Sequence, residues 1–403
     1  MNQKDKIGII LIFIAIIYLA ITSFIGLTTG GLWGDELFSY GMGKIPFSEF
    51  LNIGLNDVHP LLYYLILRFF LIIAMFFNIT NLVAVSKFVS LIPIYLTLII
   101  GCYYLKKHFN ILTAGVFALC ITSMPQLMIY SVEVRMYSWA LFFLTASFLI
   151  IYDIVKSNSI KKWIILTILT ICSCYTHYFS ALTSGVLYLL FLLYIIRNNK
   201  NLLKSWFCSA IISAISFGLW IPILLKQANG VYNNFWIDPV SGKSIITYVY
   251  YILSPANQFA YSNIYINPTI MGTLMLILII SLFCYYFRSK NENNVKLSYY
   301  GLVTVLLVIT IGICISFLTK PIMHPRYLIP LIGIFWISVS ILISKTYKNK
   351  KIFSIIIMFL ILVGCIGTHN FIHIEKTQEI DCNNLQDQFN IFDSKSIIIY
   401  DDS

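Results

Sequence analysis

Apolar runs of about 20 residues recur along nearly the whole chain, and this feature limits the fold more than any other. A helix needs about 20 apolar residues to cross the hydrocarbon core of a bilayer. Of the 403 residues, 59% are hydrophobic and 11% are charged, against about 25% charged in globular proteins. The sequence therefore predicts an all-α polytopic membrane protein. Eleven spans are predicted, at residues 7–27, 82–105, 111–130, 138–155, 161–176, 178–196, 206–225, 268–287, 297–318, 326–344 and 352–368.

The net charge of +11 does not indicate a nucleic-acid partner, because the basic residues are concentrated in alternate loops. Those loops hold 17 of the 27 Lys and Arg residues and three acids, whereas the opposite face holds 13 of the 16 acids and nine basic residues. An excess of Lys and Arg marks the cytoplasmic side of a membrane protein. The pattern predicts a cytoplasmic N-terminus and an extracytoplasmic C-terminal tail. The richness in Lys, Asn and Ile favours a bacterial plasma membrane.

The apolar stretch at 60–77 is the exception to the reading by hydropathy. If it crossed the membrane, every later loop would change sides and the Lys-rich loops would lie outside. Loop charges are the stronger indicator of orientation. We therefore expect this stretch to be an interfacial or re-entrant helix rather than a span.

The domain organisation follows from these assignments. Residues 1–368 form a transmembrane module whose first outer loop, 28–77, carries two short surface helices broken at Pro46. A loop that long between spans is usually functional. Residues 227–267 form a second outer loop. Residues 369–403 are predicted to be an acidic extracytoplasmic tail, the possible start of a truncated outer domain.

Ionisable residues near membrane depth are costly and mark functional sites. Here they gather at the outer face. Asp35 and Glu36 follow the first span, and Glu133 and Arg135 follow the third. Such carboxylates, imidazoles and cations could hold an anionic group and move a proton beside it. The remaining candidates on this face are His59, Lys87, His177, Lys320, His324 and Arg326.

Six short motifs on this face, in this order, resemble the signature of a known family. They look like the protein-mannosyltransferase-like branch of the GT-C membrane glycosyltransferases, which includes dolichyl-phosphate-mannose protein mannosyltransferases and bacterial aminoarabinose transferases. The resemblance covers residues 1 to about 345. The motifs are Trp33-x-Asp35-Glu36, His59-Pro60-Leu-Leu-Tyr-Tyr64, Ser86-Lys87-Phe-Val-Ser90, Glu133-Val-Arg135-Met-Tyr137, Thr176-His177-Tyr178 and Pro325-Arg326-Tyr327-Leu-Ile-Pro330.

The resemblance implies a GT-C helix bundle, a polyprenyl-phosphate sugar donor, an acceptor that approaches from the outer side, and inversion at the anomeric carbon. Asp35 would be the base for the acceptor hydroxyl, with Glu36 orienting the loop or the acceptor. The leaving phosphate gains charge as the bond breaks, so cations stabilise the transition state. The expected phosphate ligands are Arg135 first, then Lys87 and Arg326, with His59 and His177 as hydrogen-bond donors.

The sequence departs from the family pattern at two places. Lys87 stands where an arginine is common, which removes bidentate phosphate binding, and His59-Pro60-Leu61 has lost one of two prolines. Simpler readings also stay open. The carboxylates could be solvated loop charges, and Arg135 could be an interfacial anchor whose charged end reaches the surface.

Two other functions compete with glycosyl transfer. A transporter or flippase for a polyprenyl-linked glycan would need the same cations and lipid groove, although transporters usually place polar groups at the midplane. A catalytically inactive structural subunit is the third reading. No cofactor is predicted. Asp35, Glu36 and His59 could hold a divalent ion, but no metal-binding spacing fixes one. The sequence selects neither the sugar nor the acceptor, which could be a protein, a glycan or a lipid.

Overall fold

The computed structural model describes residues 2–233, 237–253, 268–288 and 296–389. Over these residues the regular structure is helical, with no β-strand. The seventeen α-helices are α1 Gln3–Thr28, α2 Gly34–Lys44, α3 Phe47–Gly54, α4 Leu62–Phe76, α5 Leu82–His108, α6 Ile111–Ser123, α7 Pro125–Val132, α8 Tyr137–Lys156, α9 Ile160–Cys174, α10 Tyr178–Asn198, α11 Leu203–Gly218, α12 Ile221–Asn233, α13 Gly242–Leu253, α14 Pro268–Arg288, α15 Lys296–Leu318, α16 Ile329–Lys345 and α17 Lys350–Phe389.

The all-α polytopic class is confirmed. Within the described residues, seven helices are long and apolar enough to cross a membrane: α1, α5, α8, α10, α15, α16 with its flanking turns, and α17. The pair α6 and α7, bent by 73°, and the pair α11 and α12, bent by 45°, raise the number to nine. The other two of the eleven predicted spans correspond to α9 and α14. Helix α9 has only 15 residues, with Lys161 and Lys162 in its first turn, so it is shorter than the length of about 20 residues that a span needs.

The inner end of the bundle is held by polar contacts among residues predicted to be cytoplasmic. The Asp153 carboxylate at the end of α8 pairs with Lys107, His108 and Lys162, each at 2.7 Å. These partners come from α5 and α9, so one carboxylate joins three helices. Lys350 Nζ donates to Gln3 Oε1 at 3.0 Å and joins the starts of α17 and α1.

Helix α4 does not have the length of a span. Its 15 residues reach about 22 Å, against about 30 Å for the hydrocarbon core. The Leu62 N–H donates to the carbonyl of Tyr175, the residue that follows α9, and five residues, 77–81, separate α4 from the start of α5. Both ends of α4 therefore lie at the same end of the helix bundle. That this end faces outward, and that 60–77 is interfacial or re-entrant, stay predictions. Helices α2 and α3, separated at Pro46, are the two short helices predicted in the first outer loop.

Helix α17 is longer than the predicted span at 352–368. It continues without a break to Phe389, 40 residues in all, or about 60 Å. The first part of the predicted tail is thus the outer end of a helix that packs against the bundle. Glu375 is buried there, with its carboxylate 2.9 Å from Lys87 Nζ of α5. The rest of the tail, 390–403, and part of the second outer loop, 254–267, lie outside the described residues.

Loss of the Lys87–Glu375 pair is expected to destabilise the outer end of the bundle. In a Glu375→Gln variant, the Lys87 side chain, which is 1% exposed, loses its carboxylate partner. Breaking a buried ion pair on one side costs about 3–5 kcal/mol. We expect a lower thermal unfolding midpoint for the purified protein in detergent.

Two further variants test that explanation. Glu379→Gln makes the same chemical change one turn further along α17, and its midpoint should stay near that of the wild type. Lys87→Met combined with Glu375→Met removes both charges and should recover most of the lost stability. A double variant as unstable as Glu375→Gln alone would show that the charge pairing is not the cause.

Candidate active site

Asp35 lies at the centre of a group of charges drawn from three distant parts of the chain. Its side chain is 34% exposed, with Oδ2 2.9 Å from Arg326 Nη1 and 3.8 Å from Arg135 Nη2. Asp35 lies in the first turn of α2, Arg135 lies between α7 and α8, and Arg326 lies in the 3₁₀ turn before α16. The two guanidinium groups are largely buried, so the carboxylate is the part of the group that water reaches.

Glu36 connects the two segments that carry Asp35 and Arg135. It is buried, and its two carboxylate oxygens accept hydrogen bonds from the backbone N–H of Trp33 at 3.1 Å and of Val134 at 2.7 Å. The first bond caps the N-terminus of α2, where acceptors are favourable. The second ties α2 to the turn that carries Arg135. Glu36 therefore lies where it orients the loop, while Asp35 points towards solvent.

Arg135 is fixed by the same helix that carries Asp35. Its Nη1 donates to the Asp35 backbone carbonyl at 3.2 Å and to the Ser39 hydroxyl at 3.3 Å. Ser39, one helical turn after Asp35, is fully buried and was not among the candidates from sequence. The spacing of four residues between Asp35 and Ser39 places both on one face of a helix, and this was the available signal.

A second buried carboxyl, Glu133, lies close to Glu36. Burial raises the pKa of both groups above their usual range, and the mutual repulsion of the two carboxylates raises that of Glu133 further. Glu133 Oε1 has no hydrogen-bond partner within the described residues. One carboxyl oxygen near the arginines is thus left without a hydrogen bond within the described residues.

These shifts predict a stability that falls as the pH rises above 6.5. A carboxyl with a raised folded-state pKa favours the fold below its unfolded value near 4.5, and this contribution is lost as the pH rises through the folded value. The pKa values of His59 and His177 are lowered by burial, so these two groups oppose folding only below about 6.5. Between pH 6.5 and 8.5 we expect the unfolding midpoint of the wild type to fall.

The Glu133→Gln variant tests whether the Glu133 carboxyl causes this fall in stability. An amide at this position does not titrate. The fall in the free energy of unfolding between pH 6.5 and 8.5 should therefore be smaller than in the wild type, by an amount on the order of 1 kcal/mol. Glu49→Gln, a change at an exposed carboxylate of α3, should keep the wild-type slope. Equal slopes in all three proteins would remove Glu133 from the explanation.

His59 and His177 form the inner wall of the site. Their rings are stacked with centroids 5.4 Å apart, and His177 also contacts the rings of Tyr137 and Tyr327 at 5.5 and 5.1 Å. His177 Nδ1 accepts the Phe179 N–H at the start of α10. In the neutral ring the proton is then on Nε2, which has no partner within the described residues. His177 thus offers a buried, unused N–H donor.

The His324 side chain forms a hydrogen bond with the backbone rather than facing the open side of the site. Its Nδ1 accepts the backbone N–H of Arg326 at 3.3 Å and caps the turn that carries this residue. Burial lowers the pKa of His324 to about 4, so the ring is neutral at ordinary pH. The contact sets the direction in which Arg326 leaves the main chain.

Lys87 has no contact with Asp35 among the described residues, unlike Arg135 and Arg326. Its ammonium bonds to Glu375 at 2.9 Å and to the Thr29 carbonyl at 3.3 Å. Sequence reasoning missed Glu375 because this residue was assigned to the acidic tail after the last span. The signal was the apolar spacing of Phe371 and Ile374, both buried, which continues the helical pattern beyond residue 368.

Asp57 is a further acid that the sequence did not single out. Its Oδ2 accepts the hydroxyl of Tyr64 at 2.9 Å, and burial raises the pKa of its carboxyl. In the described part of the chain, no three His, Cys, Asp or Glu side chains converge as a metal site.

Comparison with known proteins gives matches among solved structures. No protein-family model and no curated protein matches the sequence. The structure is similar to that of an oligosaccharyltransferase of Archaeoglobus fulgidus, solved in complex with zinc and sulfate, with a TM-score of 0.47 and 12% identity. The match covers 91% of this chain and 53% of the archaeal chain, so this chain spans about half the length of that enzyme. The function proposed below rests on the site and not on this likeness.

Proposed function

We propose that the protein is an inverting glycosyltransferase that moves a sugar from a polyprenyl-phosphate donor to an acceptor hydroxyl at the outer face of the membrane. One observation carries the proposal. The partly exposed Asp35 carboxylate lies 2.9 and 3.8 Å from two buried guanidinium groups. A base that water can reach beside fixed cations is what glycosyl transfer from a phosphate requires.

The chemistry assigns one role to each partner. Asp35 takes the proton of the acceptor hydroxyl as its oxygen attacks the anomeric carbon. The bond between that carbon and the phosphate oxygen breaks, and the electron pair leaves with the polyprenyl phosphate. Arg135 and Arg326 bind the phosphate as its charge grows. The proton on Asp35 then passes to water.

Ion pairing in the absence of donor is consistent with these roles. A phosphate that binds Arg326 and Arg135 competes with Asp35 for them, so donor binding releases the carboxylate to meet the acceptor. The free Nε2–H of His177 supplies a further donor to a phosphate oxygen. Glu36 contributes by holding the two loops together, and we assign it a positioning role.

A lipid tail has a suitable location next to this site. A cavity of about 570 Å³ lies between α9, α10, α11 and α12, with mainly apolar walls. Its lining includes Tyr178, the residue after His177, and extends to Leu192 and Trp206. Leu189 on its wall is 52% exposed, so the cavity opens on the lipid-facing side of the bundle. An isoprenoid chain seated there would bring its phosphate towards His177.

The test is a donor screen with the purified full-length chain in lipid vesicles. Radiolabelled polyprenyl-phosphate sugars are supplied at the outer face, and release of polyprenyl phosphate is followed together with sugar transfer to peptide, glycan and glycolipid acceptors. Cleavage of at least one donor is the expected result. Movement of an intact donor across the vesicle membrane without cleavage would instead establish the flippase.

A further inference from the structure

A second cavity lies at the inner end of the bundle, far along the helices from Asp35. It has a volume of about 320 Å³ and is enclosed by α8, α10 and the start of α15. Its deeper walls are apolar and include Phe148, Leu187 and Phe191. Lys156, the last residue of α8, and Lys296, the first residue of α15, line its inner edge.

The inner edge of this cavity carries positive charge that the described part of the protein does not neutralise. Lys156 Nζ lies 5.2 Å from the ring centroid of Tyr152, and no ion pair among the described residues involves Lys156 or Lys296. The acid nearest to Lys156 on α8 is Asp153, which already pairs with three other basic side chains. Within the described residues, no carboxylate neutralises the two ammonium groups at this edge.

Tyrosine hydroxyls complete a mixed lining. Tyr152, Tyr194 and Tyr300 border the same cavity, and the rings of Tyr194 and Tyr300 meet edge to face at 5.9 Å. An apolar slot bordered by two ammonium groups and three phenols matches a molecule with an anionic head and a hydrocarbon chain. Basic pockets between transmembrane helices on the cytoplasmic side bind anionic lipid headgroups.

We propose that this cavity is a binding site for an anionic diacyl phospholipid of the inner leaflet. The phosphate lies between Lys156 and Lys296, and one acyl chain enters the apolar slot between α8, α10 and α15. The bound lipid stabilises the packing of these three helices, because a ligand that binds only the folded state favours it. The site is separate from glycosyl transfer and does not depend on it.

The test is native mass spectrometry and thermal unfolding of the full-length protein in detergent. Phosphatidylglycerol, phosphatidylcholine, inorganic phosphate and polyprenyl phosphate are each added. The expected result is retention of one phosphatidylglycerol and a higher unfolding midpoint, with no effect of phosphatidylcholine or inorganic phosphate. Equal retention of both phospholipids, an equal effect of inorganic phosphate, or preferential retention of polyprenyl phosphate would overturn the proposal.

Variants separate the cavity from general surface charge. Lys156→Gln with Lys296→Gln should weaken phosphatidylglycerol binding about 10- to 30-fold, since each lysine near an anionic headgroup contributes about 1 kcal/mol. Lys161→Gln with Lys351→Gln removes two exposed inner lysines outside the cavity and should leave binding unchanged. Leu190→Trp narrows the slot without altering charge and should also weaken binding. An effect of the control pair equal to that of the cavity pair, or unchanged binding in Leu190→Trp, would contradict the site.

Discussion

Asp35→Asn is expected to lower the rate of sugar transfer by at least 100-fold while the protein stays folded. A positioned general base contributes about 10²- to 10⁴-fold to a rate, and the amide cannot accept the proton of the acceptor hydroxyl. The side chain is partly exposed and its replacement is nearly isosteric, so the helix α2 should persist. The measurement is kcat and KM for the donor with a saturating acceptor.

Separate measurement of kcat and of the KM for the donor distinguishes an effect on catalysis from an effect on binding. In Asp35→Asn, Arg135 and Arg326 lose the Asp35 carboxylate that competes with the phosphate for them, so the KM for the donor should not rise. Glu49→Gln, the same carboxyl-to-amide change at an exposed position of the same outer loop, should transfer at the wild-type rate. A rate for Asp35→Asn within threefold of the wild type would remove Asp35 from the mechanism.

The convergence of Asp35, Arg135 and Arg326 could be predicted because it depends on topology. Hydropathy locates the spans, and the alternation of Lys and Arg decides which loops share a face. Three residues separated by as many as 291 positions were thereby assigned to one leaflet. The structure adds what topology cannot supply, namely the contact of Arg326 with Asp35 at 2.9 Å.

The roles of Glu36 and Lys87 could not be read in the same way. The Glu36 carboxylate accepts the backbone N–H of Trp33, the N-cap residue of α2. The usual sequence signature of such a capping box has Ser or Thr at the N-cap position. The partner of Lys87 is Glu375, 288 residues away, on a stretch that was assigned to the acidic tail after the last span. Glu375 is buried because α17 continues beyond the predicted span. The spacing of hydrophobic residues that keeps one helix face packed continues after the mean hydropathy has fallen.

The start of the tenth predicted span illustrates a different limit. Loop sequences such as 319–327 carry little periodicity, so sequence alone could not place Arg326 in relation to its neighbours. In the structure, a cap from His324 to the Arg326 N–H and the Trp33 ring, 5.8 Å from the guanidinium, orient that side chain. The first contact is local, between residues two apart in the sequence, whereas the contact with Trp33 depends on tertiary packing.

Arg326→Gln is expected to lower kcat by about 10²- to 10³-fold, the loss usual for one group that stabilises developing charge. Glutamine keeps hydrogen-bonding capacity but not the positive charge, so the phosphate leaves less readily as the bond to the sugar breaks. Arg135→Gln should have a similar effect. Because both arginines act on one phosphate, the double variant should lose less than the product of the two single losses.

Arg68→Gln provides the matched control on the same face. Arg68 donates to the Ile45 carbonyl and lies 5.7 Å from the ring of Phe50, so its removal changes an outer-face arginine that has no contact with Asp35. Its kcat should stay within about threefold of the wild type. Unfolding midpoints report whether each variant is folded, and Arg326→Lys should restore part of the rate because the charge returns. If Arg326→Gln keeps the wild-type kcat while folded, the leaving phosphate is not held at this site.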